Sequence, residues 1–261
     1  AQAGWMPAPG AAAVNPVGGR CDIGPEHAIP RHPTLWTGPW TVEVSGPRQA
    51  RMTSADDPAT GSRIVRDFTL DAATSRLTFT QTIVNVSAHT TQWCHWSRTF
   101  ARHGGIAVVP LTPGSRFPRD YVMYGPGPVI NFRPEDPHII RQGDYLVISG
   151  VPQHPKLGFD SAVGWIAYLM PDDLLFVKRF PVFPDRVYNE VAGLTSCIYY
   201  PRERVCEIEP IGPRERLAPG ESAAFTEEWS LLPCPFPAPG AAPDVDEVVR
   251  LVEATDGRSN R

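Results

Sequence analysis

A chain of 261 residues, 42% of them hydrophobic, is long enough to bury a full core, and β-sandwiches of this size form single domains. A formal net charge of -4, with acids and bases interspersed, offers no basic field for nucleic acid or for an anionic membrane surface. No apolar run approaches the roughly 20 residues of a membrane span, and 30 prolines with 22 glycines favour many short strands over long helices.

Residues 1–39 are rich in Pro, Gly and Ala and lack periodicity, which predicts an irregular arm. Its first residues, Ala1-Gln2-Ala3, fit the remnant of a signal-peptidase site and tilt the expected location toward the periplasm or exterior rather than the cytoplasm. A β-sandwich domain is expected over 40–232, starting with strands at Trp40–Ser45 and Ile64–Leu70. In the next segment Leu77, Phe79, Gln81 and Ile83 alternate with Thr78, Thr80 and Thr82, the period of a half-buried antiparallel strand. Further strands are expected at Thr91–Arg98, Gly105–Val109, Tyr145–Ser149, Val163–Leu169, Leu174–Phe180, Leu194–Tyr200, Val205–Glu209 and Ala223–Leu231. Short turns at Pro171-Asp172-Asp173 and Pro201-Arg202-Glu203-Arg204 make 163–180 and 194–209 two antiparallel hairpins. The stretch Leu111 to Gly143, with six prolines, is too long for a simple connection and reads either as a functional excursion over one end of the sheets or as inert surface. A linker and helix complete the chain over 233–261, with Asp244 as N-cap, Glu247 three residues on, and Val245, Val248, Val249 and Val252 at helical spacing.

Alternation along the strand around His95 puts Trp93, His95 and Ser97 on one face and Cys94, Trp96 and Arg98 on the other. A histidine beside a tryptophan suits a sugar site, since the ring stacks on a pyranose and imidazole moves protons near neutral pH; a core histidine is the plain alternative. Glu207 and Glu209 flank Ile208, so both carboxylates share a face and could pair a general base with a partner of raised pKa, hold sugar hydroxyls, or simply be solvated. In Phe176-Val177-Lys178-Arg179-Phe180, Lys178 lies between two phenylalanines and Arg179 beside Val177; such cations bind a carboxylate or a hydroxyl, or snorkel at a sheet edge. Of 24 basic residues only Lys156 and Lys178 are lysine, which makes both stand out. Five cysteines show no C-x-x-C pair and no zinc spacing, so no metal is expected; Cys21 with Cys234 is the pair to consider in an exported protein, and buried free thiols are the alternative. There is no G-x-S-x-G elbow, Walker A loop, dinucleotide fingerprint or H-E-x-x-H.

The order of several segments resembles a bacterial family within the galactose-mutarotase-like superfamily, related to aldose 1-epimerases. These are Trp5-Met6-Pro7-Ala8-Pro9, Asn85-Val86-Ser87 leading into the Trp93/Trp96 strand, Lys156-Leu157-Gly158, Gly164-Trp165-Ile166-Ala167-Tyr168, Phe176-Val177-Lys178-Arg179-Phe180, Glu207-Ile208-Glu209-Pro210, Leu217-Ala218-Pro219-Gly220-Glu221-Ser222 and Glu228-Trp229-Ser230-Leu231. The resemblance implies an all-β antiparallel supersandwich with His95 as acid and Glu209 as base in the ring opening and reclosing of a sugar, and no cofactor. Glu207, Lys178, Arg179, Trp93 and Trp165 are the expected sugar-binding residues. The sequence departs from the superfamily where Cys94-His95-Trp96-Ser97 replaces an Asn-His-Ser-Tyr-Phe-like signature, and the early strands expected before Trp5 are missing. Three functions follow: an epimerase-like enzyme, a non-catalytic carbohydrate-binding module of the same fold, or a structural sandwich domain. A sugar or glycan is the expected partner, and nothing in the sequence bears on oligomeric state.

Overall fold

The computed structural model describes residues 19–202 and 205–256. The first strands are β1 (Gly19–Gly24), β2 (Trp40–Gly46), β3 (Gln49–Ser54), β4 (Ser62–Leu70), β5 (Leu77–Asn85) and β6 (Thr91–Arg102), with helix α1 (Pro33–Thr37) between β1 and β2. The middle of the chain adds β7 (Ile106–Pro110), β8 (Val122–Tyr124), β9 (Ile130–Asn131), β10 (Ile139–Gln142), β11 (Tyr145–Ile148) and β12 (Lys156–Phe159). Then β13 (Trp165–Met170), β14 (Leu174–Arg179), β15 (Ser196–Tyr199), β16 (Val205–Pro210), β17 (Glu215–Leu217) and β18 (Ser222–Pro233) precede helix α2 (Val245–Ala254).

These strands form two antiparallel sheets. The ten-stranded sheet runs β10-β11-β7-β13-β14-β18-β5-β4-β3-β2, and the eight-stranded sheet runs β1-β6-β16-β15-β12-β8-β9 with β17 also paired to β6. The expected hairpins form as β13–β14 and β15–β16, and Phe79, Gln81 and Ile83 of β5 are buried as their alternation requires. The main core lies between the sheets, where Leu157, Ile198 and Ile208 of one meet Val109, Ile166 and Phe225 of the other. Burying each such side chain contributes about 1.5–3 kcal/mol.

The outer face of the ten-stranded sheet is covered by α2, whose Val245, Val248 and Val252 pack on Trp165, Ala167 and Val177. Asp244 accepts the N–H of Glu247, the cap expected from the sequence, and removes one of the orphan donors of the first turn. Among the described residues no helix is long and apolar enough to cross a membrane. The expected leader remnant and the Trp5 segment fall outside the described residues.

Two expectations change. From Gly19 onward the supposed irregular arm is structured: β1 pairs with β6 along its whole length, and α1 buries Leu35 against Ile23 and Ile64. Its glycines signal close approach rather than looseness, because a Cβ on Gly24 would sit 2.7 Å from the Trp96 ring and one on Gly19, at φ 120°, 2.2 Å from the Arg98 carbonyl oxygen. The stretch from Leu111 to Gly143 holds β8, β9 and the short β10, and in crossing between the sheets it brings Tyr124 to the outer face of the eight-stranded one. Cys94, Cys197, Cys206 and Cys234 are buried free thiols, and the side chain of Cys21, the other half of the pair considered with Cys234, lies outside what the structure describes.

Candidate functional site

Register decides which side chains meet. In the β6–β16 pair Ile208 lies opposite Thr99 and Glu207 opposite Phe100, and directly opposed residues share a face. His95, Ser97 and Thr99 therefore point with Ile208 into the core between the sheets, while Trp96 and Arg98 point with Glu207 and Glu209 to the outer face. In the β1–β6 pair Asp22 lies opposite Trp96, which adds Asp22 to that outer face.

On the outer face Glu209 is fully buried and accepts a hydrogen bond from Trp96 Nε1 at 2.6 Å. Arg98 Nη1 lies 3.7 Å from one of its oxygens and Lys156 Nζ 3.9 Å from the other. Both cations also lie over the Trp96 ring, at 4.6 and 4.5 Å from its centroid. Burial opposes the charge on Glu209, but Lys156, Arg98 and the indole N–H together hold its carboxyl below the usual carboxylate range. Glu207, two residues away on the same strand face, goes the other way: burial first, then the negative charge of Glu209, raise it to about 8. Glu207 Oε2 and Glu209 Oε1 are both buried oxygens without a donor, and a proton on Glu207 supplies the missing one.

A second cluster surrounds Asp22. Its Oδ1 receives His32 Nε2 at 2.7 Å and Trp36 Nε1 at 3.1 Å, and its Oδ2 lies 2.9 Å from Arg98 Nε in an ion pair whose N–H is not aligned with the oxygen. Burial disfavours the Asp22 charge, yet the hydrogen bond from His32 and the charge of Arg98 keep its pKa below the ordinary value. Burial likewise opposes charge on His32, and the bonds to Asp22 and to the Pro30 carbonyl overcome it, so that His32 titrates above its usual range. A hollow of about 310 Å³ opens beside this cluster, lined by Arg20, Asp22, Glu26, His32, Trp36 and Arg98 among others. Trp36 is 37% exposed there, with the Arg20 guanidinium stacked 4.0 Å above its ring. The far wall is fixed by Glu190, which accepts from Tyr124 Oη at 2.7 Å and from the Glu26 backbone N–H at 2.8 Å, and by an ion pair of Glu26 with Lys156.

Of the residues expected to form the site, only Glu207 and Glu209 come together. His95 is fully buried on the opposite face of β6, its Nε2 donating to the Ala223 carbonyl at 3.1 Å and its ring stacked on Phe225. Burial lowers its pKa to about 4, so it is a neutral core side chain that does not face Glu209. Trp93 shares that inner face and donates Nε1 to the Thr60 carbonyl at 3.0 Å. Lys178 is enclosed between the sheets, 3.2 Å from Glu227 and donating to Ser97, Thr99 and the Ile208 carbonyl. Trp165 and Arg179 lie on the far face of the ten-stranded sheet under α2, where Arg179 donates to the Val252 carbonyl at 2.6 Å and to Thr255 Oγ1. Arg98, Trp96, Lys156, Asp22, His32 and Trp36 were missed. The scarcity of lysine singles out Lys156, and the alternation along β6 groups Trp96 with Arg98, but neither pattern assigns them to a shared site. Among the described residues no group of three or more His, Cys, Asp or Glu side chains is placed to hold a metal ion.

No protein-family model matches the sequence, and no curated protein matches it either. Solved structures do resemble it. A galactose mutarotase-like protein from Lactobacillus casei ATCC 334 superposes with a TM-score of 0.51 at 12% identity, over 74% of this chain and 73% of that one. A candidate aldose 1-epimerase from Escherichia coli K12 does so with a TM-score of 0.50 at 14% identity, over 76% of this chain and 70% of that one. Likeness at this level of identity is likeness of fold, and the fold of this chain is the galactose-mutarotase-like antiparallel β-sandwich.

Proposed function

We propose that the protein binds a carbohydrate at the outer face of the eight-stranded sheet. The observation that supports this is the hollow of about 310 Å³ in which planar guanidinium and carboxylate groups converge beside a partly exposed tryptophan, backed by the buried Glu209 network. A pyranose presents hydroxyls around its rim and apolar C–H faces. Arg20, Arg98 and Glu26 supply donors and acceptors for the first, and Trp36 supplies apolar surface for the second. A site of convergent polar groups with displaced pKa values is the usual setting for a small polar ligand.

A mutarotase-like reaction is the second reading, and the Glu207/Glu209 pair favours it. Two neighbouring carboxyls, one held neutral and one held ionised, provide an acid and a base without His95. Glu209 would take the anomeric hydroxyl proton while Glu207 protonates the ring oxygen, the ring opening and reclosing after rotation about C1–C2. Glu209 is fully buried, so the side chains above it must part before a sugar reaches it.

Anomeric exchange by NMR on a panel of aldoses and uronic acids separates the two. Binding without acceleration is the expected result. Acceleration that survives His95→Phe and disappears in Glu209→Gln would establish the reaction; no binding by any member of the panel would overturn both readings.

A further inference from the structure

Lys156 is only 8% exposed, and its ammonium group is held between the buried Glu209 carboxylate and the carboxylate of Glu26. The two partners differ in kind. Glu209 is enclosed in the sheet, whereas the Glu26 side chain is 36% exposed and lines the hollow. Its backbone is anchored separately, through the N–H bonded to Glu190, so the hold of this segment does not depend on the side chain alone. Lys156 does not itself line the hollow: Glu26 stands between its ammonium and a wall that already carries Arg20, Arg31 and Arg98. Asp22, the remaining carboxylate in that wall, is already occupied by Arg98, His32 and Trp36.

We propose that Glu26 stands in for the carboxylate of the ligand, and that the ligand is therefore an acidic sugar, a uronate whose carboxylate displaces Glu26 from Lys156. This rests on the carbohydrate-binding reading and narrows it. Exchanging one carboxylate for another leaves the charge around Lys156 unchanged, so the buried ammonium never loses its counter-ion while the ligand enters. A neutral aldose brings no such group and leaves Glu26 in place.

Binding of glucuronate and galacturonate, against glucose and galactose at fixed ionic strength, tests this in the wild type, Glu26→Gln and Glu26→Ala. Uronates are expected to bind about tenfold more tightly than the matching aldoses, the worth of one charge-assisted hydrogen bond. Both Glu26 variants remove an internal competitor and should tighten uronate binding several-fold, with no change for aldoses. Lys156→Met should erase the preference for uronates; if it does not fold, the Glu26 variants decide alone. Equal affinity for aldoses and uronates, or uronate binding weakened or unchanged by Glu26→Gln, overturns the inference and leaves the carbohydrate reading standing. Failure of every sugar to bind overturns both.

Discussion

Lys178 shows how a residue with the chemistry of a binding site can be structural instead. Its ammonium group is fully buried; burial lowers its pKa, and Glu227, Ser97, Thr99 and the Ile208 carbonyl use its hydrogen-bonding capacity. Glu227 in turn accepts from Trp229 Nε1 at 2.7 Å and from Gln81 at 3.1 Å. Removing one partner of such a pair strands a charge in the core. Lys178→Met should therefore cost about 3–5 kcal/mol of unfolding free energy. The double variant Lys178→Met/Glu227→Gln should recover much of it, because a neutral amide keeps the Trp229 and Ser97 contacts without a stranded charge. Chemical denaturation of the three proteins measures this. A single variant as stable as the wild type would contradict the role assigned to Lys178, and sugar binding should be the same in the double variant and the wild type.

The strand β6 separates what was legible in the sequence from what was not. Its alternation correctly sorted Trp93, His95 and Ser97 from Cys94, Trp96 and Arg98, and that of β16 correctly put Glu207 with Glu209. What alternation within one strand cannot supply is the register between two, and one residue of slip exchanges the faces. The resemblance joins His95 and Glu209 across that gap, and the pairing of Ile208 with Thr99 sets them apart. The strand β1 was hidden for another reason: Gly19 and Gly24, there to let the chain lie against Trp96 and Arg98, look like loop residues when read singly. β12 is four residues long and contains Gly158, where a Cβ would lie 2.5 Å from a Leu194 methyl, so its strand pattern is too short to detect. The helix α2 was legible because cap and valine periodicity agree, yet its partner was not. Arg179, expected at the sugar site, donates to the Val252 carbonyl in the last turn of α2 and to Thr255 Oγ1, and pairs with Asp256 at 3.4 Å. Arg179→Ala should weaken the docking of α2 by about 1 kcal/mol. Hydrogen exchange should show faster opening of the amides in the last turn of α2 and no change in β6; uniform loss of protection across the sandwich would contradict this local role.

At the scale of the whole molecule, His95 on the inner face of the eight-stranded sheet and Glu207 on its outer face titrate in opposite senses. The folded protein holds His95 neutral down to about pH 4, while the unfolded chain protonates it near 6.5. Between those values the unfolded state binds more protons, so acidification from pH 6.5 to 4 should remove about 3 kcal/mol of stability. Glu207 keeps its proton up to about pH 8 in the folded protein and loses it near 4.5 when unfolded, so its contribution declines as pH rises across that interval. Thermal melts against pH should show His95→Phe flattening the acid limb and Glu207→Gln flattening the decline toward pH 8. An unchanged acid limb in His95→Phe would mean that His95 is not the buried neutral group described. The inner face thus serves the core, while the outer face holds the charged groups and the hollow. The most direct test of that division is a titration of the sugar panel, followed by broadening of the sugar resonances, on the wild type, Trp36→Ala and His95→Phe. Binding that persists in His95→Phe and weakens about tenfold or more in Trp36→Ala, as expected from losing a binding hot spot, is the predicted result. Binding that is lost in His95→Phe but unaffected in Trp36→Ala would place the site on the other face and contradict the account.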